Sequence, residues 1–227
     1  MEQPKDDTVI HSNLKTPKSA AVAGIVFSLL MFTIFGLLRR SIPTDPLEPG
    51  AWLAADTKTV ALALNLVPFA GVAFLWFVGV LRDRLGQQED RFFATVFIGS
   101  ALLFLVMLFA AAAVIGAVMF LASTAEPNEL ISSTIFHYAP AAAYIVNNVY
   151  ATKMAAVFMI STSTVVIYTS ITPRWIAYIG YLLALLLLIG SYYIGWSFVI
   201  LPAWVFLISA YILADNLRRH EDDTGPR

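Results

Sequence analysis

The chain has 227 residues, of which 59% are hydrophobic and 13% charged, against about half apolar and a quarter charged in an average soluble domain. A soluble fold could not cover that much apolar surface, so the composition points to a protein embedded in lipid. Fourteen Lys and Arg against fifteen Asp and Glu leave a formal charge of −1 and no basic excess for nucleic acid phosphates. The chain has no cysteine, which excludes disulfides, iron–sulfur clusters, thiolate zinc sites and cysteine nucleophiles.

In chain order, residues 1–18 mix Lys5, Asp6, Asp7, Lys15 and Lys18 with Pro4 and Pro17 and show no apolar periodicity, so they are predicted to be a disordered cytoplasmic tail. A first span is predicted over 20–38. The residues after it, Arg39-Arg40-Ser41-Ile42-Pro43, carry no small-residue cleavage site, so it is read as uncleaved. Pro43, Pro46, Pro49 and Gly50 break any helix over 41–58 and mark a loop. A second span covers 59–81, and the charged connection Arg82 to Arg91 is short enough to make it and the next span antiparallel neighbours.

The third apolar run, 92–122, has 31 residues, or about 46 Å of straight helix against a hydrocarbon layer of about 30 Å. It has to tilt, break or protrude. An acidic, lysine-free link over 123–133 leads to a fourth helix over 140–171, equally overlong, with Lys153 near its middle. Thr172-Pro173-Arg174 ends that helix. Spans over 175–190 and 196–214, the latter containing Pro202, precede a polar cytoplasmic tail over 216–227. The expected fold is an all-α polytopic bundle of about six transmembrane helices within 19–215, with a long third and fourth helix packed together beyond one membrane face.

Orientation follows from the distribution of Lys and Arg, which collect on cytoplasmic flanks. With six spans and the N-terminus inside, one side holds Lys5, Lys15, Lys18, Arg82, Arg84, Arg91, Arg174, Arg218, Arg219 and Arg227, and the other holds Arg39, Arg40, Lys58 and Lys153. Both termini are therefore expected in the cytoplasm. Trp175 at one boundary and Tyr192, Tyr193 and Trp196 at the other suit interfacial anchoring. Arg39-Arg40, outside and directly after the first span, depart from the pattern.

Polar side chains within a bilayer cost a few kcal/mol, so each is a functional candidate. The richest stretch is His137, Tyr138, Tyr144, Asn147, Asn148, Tyr150, Thr152 and Lys153. At about 100° per residue, Tyr144, Asn148, Thr152, Thr162 and Thr169 share one face, expected to look into the bundle, while Lys153 points almost the opposite way. Two readings follow. Either Lys153 snorkels to the outer interface near His137 while the Asn and Thr groups hydrogen-bond neighbouring helices, or Tyr144, Asn148 and Thr152 line an outer polar cavity. Asn65, with Pro68 and Gly71 beyond it, could add a kink facing such a cavity.

Small residues at four-residue spacing permit close helix contact, within the chain or between copies. They are Ala20, Gly24 and Ser28, then Ala112 and Gly116, then Gly180 and Ala184. The connection containing Arg82, Asp83, Arg84, Glu89, Asp90 and Arg91 is either a solvated hairpin cap or an inner docking site for a protein or lipid headgroups.

No metal or cofactor site is expected. A single histidine, His137, lies near the membrane, so a bis-histidine haem is impossible, and the H-E-x-x-H, G-x-S-x-G and G-x-x-x-x-G-K-[ST] motifs are absent. No acidic residue lies mid-span, which speaks against an ion-coupled pump.

The segment Phe74-Leu75-Trp76-Phe77-Val78-Gly79-Val80-Leu81-Arg82-Asp83-Arg84-Leu85-Gly86, with Glu89-Asp90-Arg91-Phe92-Phe93-Ala94-Thr95, resembles a group of bacterial multi-pass membrane proteins with no assigned activity. That resemblance covers the second-to-third helix hairpin alone and implies a bacterial plasma membrane. The expected role is a non-enzymatic accessory or structural component of that membrane, partnered by lipid, by another membrane protein or by a second copy. The alternative is a small permease or ligand-binding protein with an outer polar cavity along the fourth helix.

Overall fold

The computed structural model describes residues 17–41, 57–83, 91–124, 134–169, 172–191 and 193–224. Every regular element among them is a helix: α1 (Pro17–Ser41), α2 (Thr57–Asp83), α3 (Arg91–Thr124), α4 (Thr134–Ile145), a π-helical segment (Val146–Ala151), α5 (Thr152–Thr169), α6 (Arg174–Gly190) and α7 (Ser197–Thr224). With no internal break from α4 to α5, these elements form six helical columns. Five of them are long and apolar enough to cross a membrane, and α6 has 17 residues, at the lower limit of about 17 for a spanning helix.

The elements outrun their predicted bounds where nothing stops them. α1 begins at Pro17, whose missing N–H costs nothing in a first turn, and runs through Arg39 and Arg40 to Ser41. α4 starts at Thr134 and passes through Pro140, which the sequence reading placed at the start of the fourth helix. Proline is tolerated inside membrane helices, where neighbours re-satisfy the freed carbonyl. α7 continues past the expected span into the polar tail and stays helical to Thr224. Asn216 Nδ2 donates to the Ile212 carbonyl at 2.7 Å, and the residues to Thr224 include neither Gly nor Pro. α3 is one unbroken helix of 34 residues, about 51 Å long, so of the three outcomes open to it breaking is excluded.

The interior is aromatic at its centre. Phe74 of α2 meets Phe27 of α1 at 4.7 Å between ring centroids, Phe158 of α5 at 5.1 Å and Phe104 of α3 at 5.3 Å, and Phe158 meets Phe97 of α3 at 5.3 Å. Four helices thus converge on one ring. Tilted and edge-on pairs of this kind add about 0.5–1.5 kcal/mol each beyond area burial. A second, smaller cluster joins Val60 of α2 to Ala111, Ile115 and Val118 of α3 and Ala139 and Ala143 of α4, so the second half of α3 packs on the start of the fourth column.

The small residues of α1 and α6 are used within the chain. A Cβ on Gly24 would strike Ser209 Oγ of α7 and come within 3.0 Å of Phe77 of α2, and one on Gly180 would strike Ser163 Oγ of α5 and come within 2.6 Å of Trp204 of α7. These glycines let backbones approach where any side chain would hold them apart. Gly71, expected to mark a kink beside a cavity, instead seats the Phe109 ring of α3, 2.5 Å from where its Cβ would be.

Candidate functional site

The polar stretch of the fourth column coincides with its π-helical turn. Val146-Asn147-Asn148-Val149 combines β-branched residues with asparagines, which are weak helix formers. The Thr152 N–H reaches the Asn147 carbonyl five residues back, and Thr152 Oγ1 donates to the same carbonyl at 3.0 Å. One carbonyl therefore takes both donors of Thr152, which holds the wider turn closed.

That turn resets which residues share a face. The buried series runs Ala139, Ala143, Asn148, Thr152, with a five-residue step at the π turn where an α-helix would take four. The sequence expectation that Tyr144, Asn148 and Thr152 share one inward face assumed uniform α geometry and is corrected here. Asn148 and Thr152 are 5% and 3% exposed, whereas Tyr144 is 51% exposed and faces outward. Thr162, farther along the column, is buried and donates to the Phe158 carbonyl at 2.9 Å.

Beside the π turn, Asn147, Thr152 and Ser197 share a cavity of 10 Å³ with the apolar side chains of Phe35, Phe104 and Leu201, among others. That is room for about one water. Asn148 Oδ1 and Ser197 Oγ are buried without a hydrogen-bond partner. Ser41, Ser163, Thr172 and Ser209 hold buried hydroxyls in the same condition, whereas others turn back onto their own helix, as Ser28 does on Gly24 at 2.8 Å and Thr164 on Ile160 at 2.9 Å. Because Thr164 spends its hydrogen on Ile160, the Tyr181 hydroxyl donates to Thr164 at 2.8 Å and ties α6 to α5. Trp204 Nε1 donates to the Ile176 carbonyl at 3.4 Å and ties α7 to α6.

Asn65 does not join this site. It is exposed on the outward face of α2, and its Nδ2 donates to the Ala61 carbonyl of its own helix at 2.9 Å. It lies about 12 Å along the helix from Thr57, well inside an apolar span. Lys153 is exposed, on the side away from Thr152, as its angular position requires. His137 lies in α4 and Arg91 opens α3, with their side chains outside the described residues. Arg82 is exposed at the end of α2, followed by Asp83, the last residue of that helix. Arg84, Glu89 and Asp90 lie outside the described residues, so the candidate hairpin is represented by its two helical ends.

Two features escaped the sequence reading. One is the π turn, whose signal was the Asn147-Asn148 pair between β-branched residues. The other is a contact between Arg39 and Trp196, 157 residues apart in sequence, whose guanidinium lies over the indole at 5.5 Å.

No family model matches the chain, and neither a curated protein nor a solved structure is found to be similar to it. The class of the protein rests on its own helices, and on that ground it is a multi-pass α-helical membrane protein.

Proposed function

We propose that this protein is a non-enzymatic accessory or structural component of a bacterial plasma membrane, with both termini cytoplasmic, and that it acts by binding the transmembrane helix of a partner protein. The observation that supports this most is Asn65. Among the described residues it is the asparagine or glutamine exposed at depth within an apolar span. It stands in an outward stripe with Leu62, Phe69, Val72 and Trp76, at alternating three- and four-residue steps, the spacing at which one helix meets another side by side. One N–H of its amide is taken up by Ala61, which leaves one N–H and the side-chain carbonyl of an exposed residue to be satisfied. An amide so placed gains a hydrogen bond when a partner helix packs against it, worth about 0.6–2 kcal/mol in membranes. The centre of the bundle, filled by phenylalanine rings, fits a protein that works through its surface.

The test is affinity purification in mild detergent with mass spectrometry, comparing the wild type with Asn65→Leu. The expected result is a stoichiometric second membrane protein with the wild type, reduced about tenfold with Asn65→Leu, as a loss of roughly 1.4 kcal/mol predicts. Equal recovery of that protein by both forms, or a wild type that purifies alone, overturns the proposal.

A further inference from the structure

Arg39 and Arg40 are the residues that the charge asymmetry does not explain, and the fold gives one of them a place. At the end of α1, Phe32, Phe35, Gly36 and Arg39 face Trp196, Phe198 and Val199 at the start of α7 across a cleft of 200 Å³. Phe35 and Phe198 close its floor, with ring centroids 4.4 Å apart. Gly36, Arg39 and Trp196 are exposed, so the cleft opens on the outside of the bundle. A Cβ built on Gly36 meets nothing within 4 Å, so the glycine keeps one wall open.

The lip of this apolar cleft is cationic. The Arg39 guanidinium lies over the Trp196 indole at 5.5 Å, which fixes its position by cation–π attraction. A guanidinium held this way is still a planar fork of five N–H donors, the group that suits a bidentate acceptor such as a phosphate. Trp196 sits at the start of the last span, where aromatic rings mark the level of lipid headgroups. The volume falls below the roughly 300–1,000 Å³ of a site that encloses a whole small molecule. It suits a length of one hydrocarbon chain whose remainder lies in the bilayer.

We propose that this cleft binds one anionic phospholipid of the host membrane, with its phosphate on Arg39 and part of one acyl chain between Gly36 and the Phe35–Phe198 pair. The charge at the lip and the apolar wall beneath it complement those two parts of the lipid in order. Arg40 is exposed next to Arg39 but does not line the cleft, so the proposal assigns it no contact.

The experiment is native mass spectrometry of the full chain in detergent, titrated with dioleoylphosphatidylglycerol or dioleoylphosphatidylcholine, which share their acyl chains and differ in net charge. The wild type is expected to retain one phosphatidylglycerol several-fold more strongly than phosphatidylcholine. Arg39→Gln should bring that ratio to one, Arg40→Gln should leave it unchanged, and Gly36→Trp, which fills the cleft, should lower retention of both lipids. Melting temperatures measured alongside identify variants that fold. Equal retention of both lipids by the wild type overturns the proposal, as does a ratio that survives Arg39→Gln or full retention by a folded Gly36→Trp. None of these readouts involves Asn65, so the lipid site and the partner face on α2 stand or fall separately.

Discussion

Gly180 of α6 lies under the indole of Trp204 of α7, so close that a Cβ at position 180 would stand 2.6 Å from the ring. From that seat the indole N–H reaches the Ile176 carbonyl one turn earlier at 3.4 Å. Both residues are buried, and the rigid ring has little room to yield. Gly180→Ala is therefore expected to lower stability by about 1–3 kcal/mol, the usual range for overpacking a filled interior. Gly36→Ala, where the added methyl meets open space, is expected to be neutral or stabilising. Thermal unfolding of both variants in the same detergent checks the contrast.

The ring cluster around Phe74 sets a second expectation. Phe74→Ala removes a fully buried ring that touches Phe27, Phe104 and Phe158, and its loss should destabilise the fold by less than the roughly 3–5 kcal/mol of the same change in a water-soluble core. Because lipid solvates an unfolded phenylalanine as well as the core does, the cost is lost packing. Phe69→Ala, on the outward face of the same helix, should change the chain's own melting temperature little.

Asn148 carries a prediction of the opposite sign. Its side-chain oxygen is buried without a partner, so replacement by the similar-sized leucine removes an unsatisfied group, which is worth about 1–3 kcal/mol. Asn148→Leu is expected to raise the melting temperature, whereas Thr152→Val, which removes the hydrogen bond to the Asn147 carbonyl, is expected to lower stability by about 0.5–1.5 kcal/mol. If the π turn instead served the outer polar cavity of a permease, a cysteine at position 148 would react with a polar thiol reagent from outside. The chain's lack of native cysteine makes that reading clean.

The proposed orientation is checked by reporters fused to the C-terminus and inserted in the 42–56 connection. A fluorescent protein should light at the C-terminus, and a periplasmic phosphatase should be active at the insertion. A phosphatase active at the C-terminus would mean an odd number of crossings with the N-terminus inside, and α6 is the helix then expected not to span.

The helices were legible because each apolar run is, Lys153 apart, free of charge, and Asp, Arg and Pro punctuate the chain between the runs. Their ends were less legible. The residues after Ala214 are polar but include neither Gly nor Pro before Thr224, and the helix continues through them. The inward face of the fourth column was misread at one end, since a single π turn between Ala143 and Thr152 moves Tyr144 outward, and a uniform 100° step cannot show it. The pairing of Arg39 with Trp196 was not legible, because no periodicity joins residues brought together by the return of the last helix to the first.

The central claim, that the outward stripe of α2 meets another membrane helix, is tested most directly by photo-cross-linking in intact membranes. A benzoylphenylalanine at position 69, within the stripe of Leu62, Asn65, Val72 and Trp76, is compared with one at position 106, where Val106 is equally outward on α3. The account predicts a discrete protein adduct from position 69, lost when Asn65 is replaced by leucine, and only lipid adducts from position 106. Lipid adducts alone from both positions would contradict it.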